Sequence, residues 1–111
     1  MPRDKEVQEK VAQLQLLQQN LQTLLVQKQQ FQMQLNEIES ASTELANAKQ
    51  AYKIIGNIMV LSSQENLKKE LSEKKEMIDL RLKNFEAQEE RLQKKAEELQ
   101  EAVLAGLKKE P

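Results

Sequence analysis

Apolar residues recur through the first 48 positions in alternating steps of three and four. The series Val7, Lys10, Leu14, Leu17, Leu21, Leu24, Lys28, Phe31, Leu35, Ile38, Ser42 and Leu45 is apolar at nine of its twelve positions, and only Pro2 breaks the helical composition. A repeat averaging 3.5 residues keeps one stripe of a helix against a partner, so the pattern predicts a coiled-coil helix over about residues 4–48. A second series, Leu71, Lys75, Ile78, Leu82, Phe85, Glu89, Leu92, Ala96, Leu99, Val103 and Gly106, is apolar at eight of eleven positions and predicts a helix over about residues 63–106. Ser62-Ser63-Gln64-Glu65 has the S-x-x-E spacing of a capping box at its start. Gly106, followed by Lys108, Lys109 and Pro111, reads as its stop signal. Each helix would run roughly 65 Å at 1.5 Å per residue.

Between the helices the pattern changes. Ala51 to Ser62 is rich in β-branched residues around Gly56-Asn57, which predicts a β-hairpin, because glycine tolerates the positive φ of a two-residue turn. A turn centred between Gly56 and Asn57 pairs residues whose numbers sum to 113. The same sum pairs Leu14 with Leu99, Leu21 with Leu92, Phe31 with Leu82 and Leu35 with Ile78, so the two stripes meet in one antiparallel register. Lys28 and Glu89 interrupt the stripes near one another. They are read either as an ion pair that sets register or as two side chains that reach separately for water.

Composition supports few, long elements: among 111 residues there are three aromatics, two Gly and two Pro. Charge is unevenly placed. From Val11 to Leu45 only Lys28, Glu37, Glu39 and Glu44 are charged, whereas residues 64–110 hold 23 charges. Glu65/Lys69, Glu70/Lys74, Asp79/Lys83 and Glu90/Lys94 have the spacing of helix-supporting pairs on a solvated face.

The same inventory removes whole classes of chemistry. With no Cys and no His, disulfides, thiolate nucleophiles, imidazole bases and the usual zinc ligands are absent. Gly56 and Gly106 belong to no phosphate-binding loop, so neither an enzyme nor a bound cofactor or metal is expected. A net charge of -1 gives no field for nucleic acid, and no apolar run suits a membrane span. MPRDKEVQEK lacks the apolar region of a secretory signal, which points to a cytoplasmic protein.

Two places carry more apolar surface than a two-helix seam can hide. In the hairpin, Tyr52, Ile54, Ile55, Ile58, Met59, Val60 and Leu61 leave both strand faces apolar and both edges open, which implies assembly with strands of other chains. At the other end of the expected rod, Val7, Val11, Leu14 and Leu17 lie beside Leu99, Val103, Leu104 and Leu107. Val11, Leu104 and Leu107 fall outside the stripes and are expected to stay exposed unless another helix covers them.

In order along the chain, the Gln-rich LLVQKQQFQMQLNE, the hairpin AYKIIGNIMV and the helix EAQEERLQKKAEELQ resemble the prefoldin beta family of archaea. The Y-K-x-x-G-x-x-x-V hairpin between helices of equal length carries the resemblance most specifically. What it implies is a mainly α fold in one domain over residues 1–111, a long antiparallel two-helix coiled coil joined by one β-hairpin. Hairpins of two alpha-type and four beta-type subunits would form a β-barrel body, and the single hairpin favours the beta type. The resemblance further implies an ATP-independent chaperone whose coiled-coil tips, here Val7 to Leu17 and Leu99 to Leu107, hold unfolded proteins and pass them to a group II chaperonin. The rival reading is a coiled-coil adaptor or scaffold that binds one folded partner.

Overall fold

The computed structural model describes residues 2–108. Helix α1 (Pro2–Asn47) is followed by strands β1 (Ala51–Ile55) and β2 (Ile58–Ser62) and by helix α2 (Gln64–Lys108). The chain forms two compact units: Gln29–Lys83, and the segments that precede and follow it.

In the Gln29–Lys83 unit, Leu35, Ile38, Ile78 and Leu82 form a buried cluster, with Phe31 and Leu71 packed against it. These are stripe residues of both helices, in the antiparallel arrangement that the apolar spacing predicts. The hairpin follows the expected register, from Ala51 opposite Ser62 to Ile55 opposite Ile58. Gly56 has φ 60°, and no non-glycine residue has positive φ. Positive φ at the first turn residue alone is the signature of a II′ turn, whose twist matches the strands it joins.

The joints between helices and hairpin differ from the expectation. Ser62 is the last residue of β2, so the capping box cannot use it. The cap shifts by one residue: Ser63 Oγ accepts the Asn66 N–H at 3.1 Å, and the Leu67 N–H donates to the Ser63 carbonyl at 3.1 Å. At the other joint the Ala48 N–H donates to the Leu45 carbonyl at 3.3 Å. Gln64 Nε2 donates to the Leu45 carbonyl at 3.5 Å and also to the Ala48 carbonyl. The first residue of α2 thereby supplies donors that the end of α1 lacks.

In the other unit Leu24 is buried, while Val7, Leu14, Leu17 and Leu21 of α1 and Leu92, Ala96, Leu99 and Val103 of α2 are half-buried. Gly106 is not a stop. Helix α2 runs through it to Lys108, and a Cβ there would lie 3.0 Å from Val7 Cγ2, so the small residue permits close approach of the two helices. Lys109 and Pro111 of the predicted stop lie outside the described residues. Among the described residues no side chain is fully buried, as expected where each helix has one helical neighbour.

Ion pairs also depart from the spacing rule. None of the four predicted i,i+4 pairs closes to 4.0 Å; the pairs among the described residues join different elements instead. Lys28 Nζ lies 3.4 Å from Glu89 Oε2 and 3.9 Å from Glu86 Oε1, Lys75 Nζ 3.9 Å from Glu39 Oε1, and Lys53 Nζ 2.8 Å from Glu70 Oε1. The Lys28–Glu89 contact is the predicted pair across the seam. Lys75 and Ser42, both on the predicted stripes, are exposed.

Two expectations follow. Gln64→Ala should destabilise the fold by about 1 kcal/mol in urea unfolding followed by circular dichroism, because two carbonyls lose a donor, whereas Gln22→Ala on an exposed surface should change little. Glu89→Ala should cost up to about 1 kcal/mol, since Lys28 and Glu89 are only partly shielded from solvent screening. Lys28→Leu combined with Glu89→Leu should restore or exceed the original stability by closing the apolar stripe. A double variant weaker than either single one would mean that the pair contributes net stability.

Candidate functional site

Each strand of the hairpin has two faces. Ala51 is buried and Lys53 half-buried, and the Lys53–Glu70 pair at 2.8 Å holds β1 to the first turns of α2. A cleft on this side is lined by Ile55, Val60 and Ser62 from the strands and by Asn66, Lys69 and Glu73 from the helix. The alternating positions Tyr52, Ile54, Met59 and Leu61 form the opposite face. Tyr52 Oη donates to Gln50 Oε1 at 3.0 Å.

All seven apolar hairpin residues singled out from the sequence are exposed, from 43% for Val60 to 69% for Ile54. Full burial of the six aliphatic and Met side chains would contribute on the order of 10 kcal/mol before the costs of association. The edges add a directional element. In a hairpin closed by a two-residue turn, Ile55 and Ile58 form a hydrogen-bonded pair, and alternation turns the N–H groups of Tyr52, Ile54, Met59 and Leu61 outward. The sheet has two strands, so both rows of groups are available to further strands.

The second predicted group lies in the unit formed by the two chain-terminal segments. Val7, Val11, Leu14, Leu17, Leu99 and Val103 are half-buried along the seam, while Leu104 and Leu107 are each about half exposed, at 50% and 53%. Leu17 and Leu99 come together in a small cleft with Gln13, Lys95 and Glu98. Val11 is more covered than its place outside the stripe suggested. Exposed apolar residues that the sequence reading passed over include Leu16, Val26, Met33, Met77 and Leu80. Their signal was available, since each is an apolar residue off the heptad series.

The described residues contain no group of three or more His, Cys, Asp or Glu side chains placed to hold a metal ion, and no buried charged side chain. No helix among them is long and apolar enough to cross a membrane. What these surfaces offer is apolar area and open strand edges, which suit association.

Comparison with known proteins gives the same reading. The profile of the family described as "Prefoldin subunit" matches residues 8–110. The prefoldin subunit beta of Archaeoglobus fulgidus is 41% identical over 101 residues, covering 88% of this chain and 87% of that one. That of Methanothrix thermoacetophila is 38% identical over 109 residues, covering 96% and 91%. Among solved structures, the crystal structure of the prefoldin beta subunit from Thermococcus strain KS-1 is similar with a TM-score of 0.88 and 33% identity, covering 96% of this chain and 95% of that one. With matches along nearly its whole length, and with two long helices on either side of one hairpin, the chain belongs to the prefoldin family of chaperone subunits and, within it, to the beta type.

Proposed function

We propose that this subunit assembles through its hairpin with alpha-type and other beta-type subunits, two alpha with four beta, and holds unfolded proteins without ATP at its coiled-coil tips. The observation that carries the reading is the contrast within one chain: the helices cover their stripes, whereas seven apolar hairpin residues remain open. Strands from neighbouring subunits cover such a surface and satisfy its edge amides at once, and closing them into a barrel removes the edges. In this reading the chain works in the cytoplasm, hands its clients to a group II chaperonin and catalyses no reaction itself.

Client holding follows from weak contacts repeated. Leu104 and Leu107, with the half-buried residues from Val7 to Leu17 and from Leu99 to Val103, offer each client a small apolar patch. One such patch binds weakly. Several patches tethered to one body raise the effective concentration for the next contact, so an unfolded chain is retained yet leaves when a competitor takes its segments one at a time.

Replacing Met59 and Leu61, which stand opposite Ile54 and Tyr52, together by Asp should place carboxylates in the shared sheet, where burial without a partner is strongly disfavoured. The oligomer mass should then collapse in native mass spectrometry while helical circular dichroism largely persists; full retention of mass would exclude a β-joined body. Leu104→Ser with Leu107→Ser should weaken client contact by up to about 1–2 kcal/mol per residue and leave assembly intact. Deleting residues 1–12 and 102–111 is the stronger form. The truncated oligomer should no longer suppress aggregation of unrelated unfolded proteins, and undiminished protection would move client binding away from these segments. Capture of one folded partner without general protection would favour the adaptor reading.

A further inference from the structure

Away from the hairpin and the chain-terminal segments, one surface of the Gln29–Lys83 unit joins an apolar floor to unneutralised charge. A groove of ≈ 500 Å3 runs between the two helices. Ile38 and Ile78 are buried and Phe31 half-buried along it, while Met77 is 62% exposed at its wall. Lys74 and Arg81 flank Met77 on the α2 wall, one on each side along the helix. Neither has a carboxylate within 4.0 Å among the described residues. The partner that helical spacing offers Lys74 is Glu70, which is taken by Lys53 at 2.8 Å. Arg81 instead lies over the Phe31 ring, 5.5 Å from its centroid. The α1 wall contributes Gln34 and one carboxylate, Glu37, which has no cation within 4.0 Å.

We propose that this groove binds an extended segment of non-native polypeptide in which apolar side chains alternate with acidic ones. The proposal rests on the client-holding reading and adds to it a second contact region with a charge preference. The apolar side chain of the segment covers Phe31, Ile38 and Ile78, and the unbranched thioether of Met77 adapts to its shape. The neighbouring carboxylate turns toward the α2 wall, where Lys74 and Arg81 stand beside low-dielectric surface that strengthens their attraction relative to open water. Glu37 repels the same carboxylate and so sets which way the segment lies. A basic segment meets two like charges on one wall and gains a single partner on the other.

The test uses the assembled full-length subunit and two fluorescein-labelled heptapeptides, Gly-Leu-Asp-Phe-Asp-Leu-Gly and its counterpart with Lys in place of both Asp residues. Fluorescence anisotropy should show the acidic peptide bound about threefold to tenfold more tightly at low salt. The gap should narrow as salt rises from about 0.05 to about 0.5 M. Lys74→Gln with Arg81→Gln, both on the exposed helix surface, should abolish the gap, and Glu37→Gln should widen it. Met77→Ser should weaken both peptides alike, and Leu104→Ser with Leu107→Ser should leave the preference unchanged. Equal affinities in the wild-type oligomer, or a gap that survives loss of both cations in a variant of unchanged helicity, would overturn the proposal. Aggregation protection without a peptide preference would refute the groove and leave the holdase reading standing. A peptide preference without aggregation protection would do the reverse.

Discussion

A helix packed against one neighbour hides one stripe of its surface, and a two-stranded sheet without a covering layer hides almost nothing. Most features of this chain follow from that constraint. In both compact units the apolar stripe residues are buried or half-buried, and no described side chain is fully buried. The shortfall per residue is offset by repetition: successive turns of α1 and α2 each add a modest contact instead of enclosing a large core. The hairpin has no such recourse. Its apolar residues lie open in the single chain, a surface that suits pairing with further strands.

The same constraint determines where polar interactions count. Pairs along one exposed helix face contribute little, and the spacing that would form them does not close here. The pairs that form link separate elements: Lys53 with Glu70 holds strand to helix, and Lys28 with Glu89 bridges the seam. Gln64 likewise joins the start of α2 to the end of α1 by donating to two carbonyls. The Lys53–Glu70 and Gln64 contacts orient the hairpin within its own unit. In the proposed assembly they give the open hairpin a defined direction.

Much of this was legible in the residues. The heptad series marked which helical positions would be covered, and the Gly56-Asn57 turn set a register that the strands obey. Exposure of the hairpin followed from apolar residues on both faces of its strands, and that of Leu104 and Leu107 from their place off the stripe. Local details were less legible because they depend on competition between elements. Ser62 could not serve as a helix cap once the strand ladder claimed it, so Ser63 took that role. Gly106 resembled a stop signal, but its position opposite Val7 made it a contact site within the helix. Lys75 falls on the stripe by number, yet its charge stays at the surface beside Glu39. Glu70 pairs with Lys53 across the fold, a choice invisible to helical spacing. The groove around Met77 was missed for a related reason, since it arises from both helices together.

The central claim is that the open hairpin becomes the joining element of a larger assembly. Residue-resolved hydrogen exchange of the backbone amides, in the isolated chain and in the assembled oligomer, tests it most directly. The outward-facing amides of Tyr52, Ile54, Met59 and Leu61 should exchange quickly in the isolated chain and become strongly protected on assembly, while protection along the Leu35–Ile78 seam changes little. If those four amides exchange as fast in the oligomer as in the free chain, the hairpin does not pair with other strands, and the account of assembly is wrong.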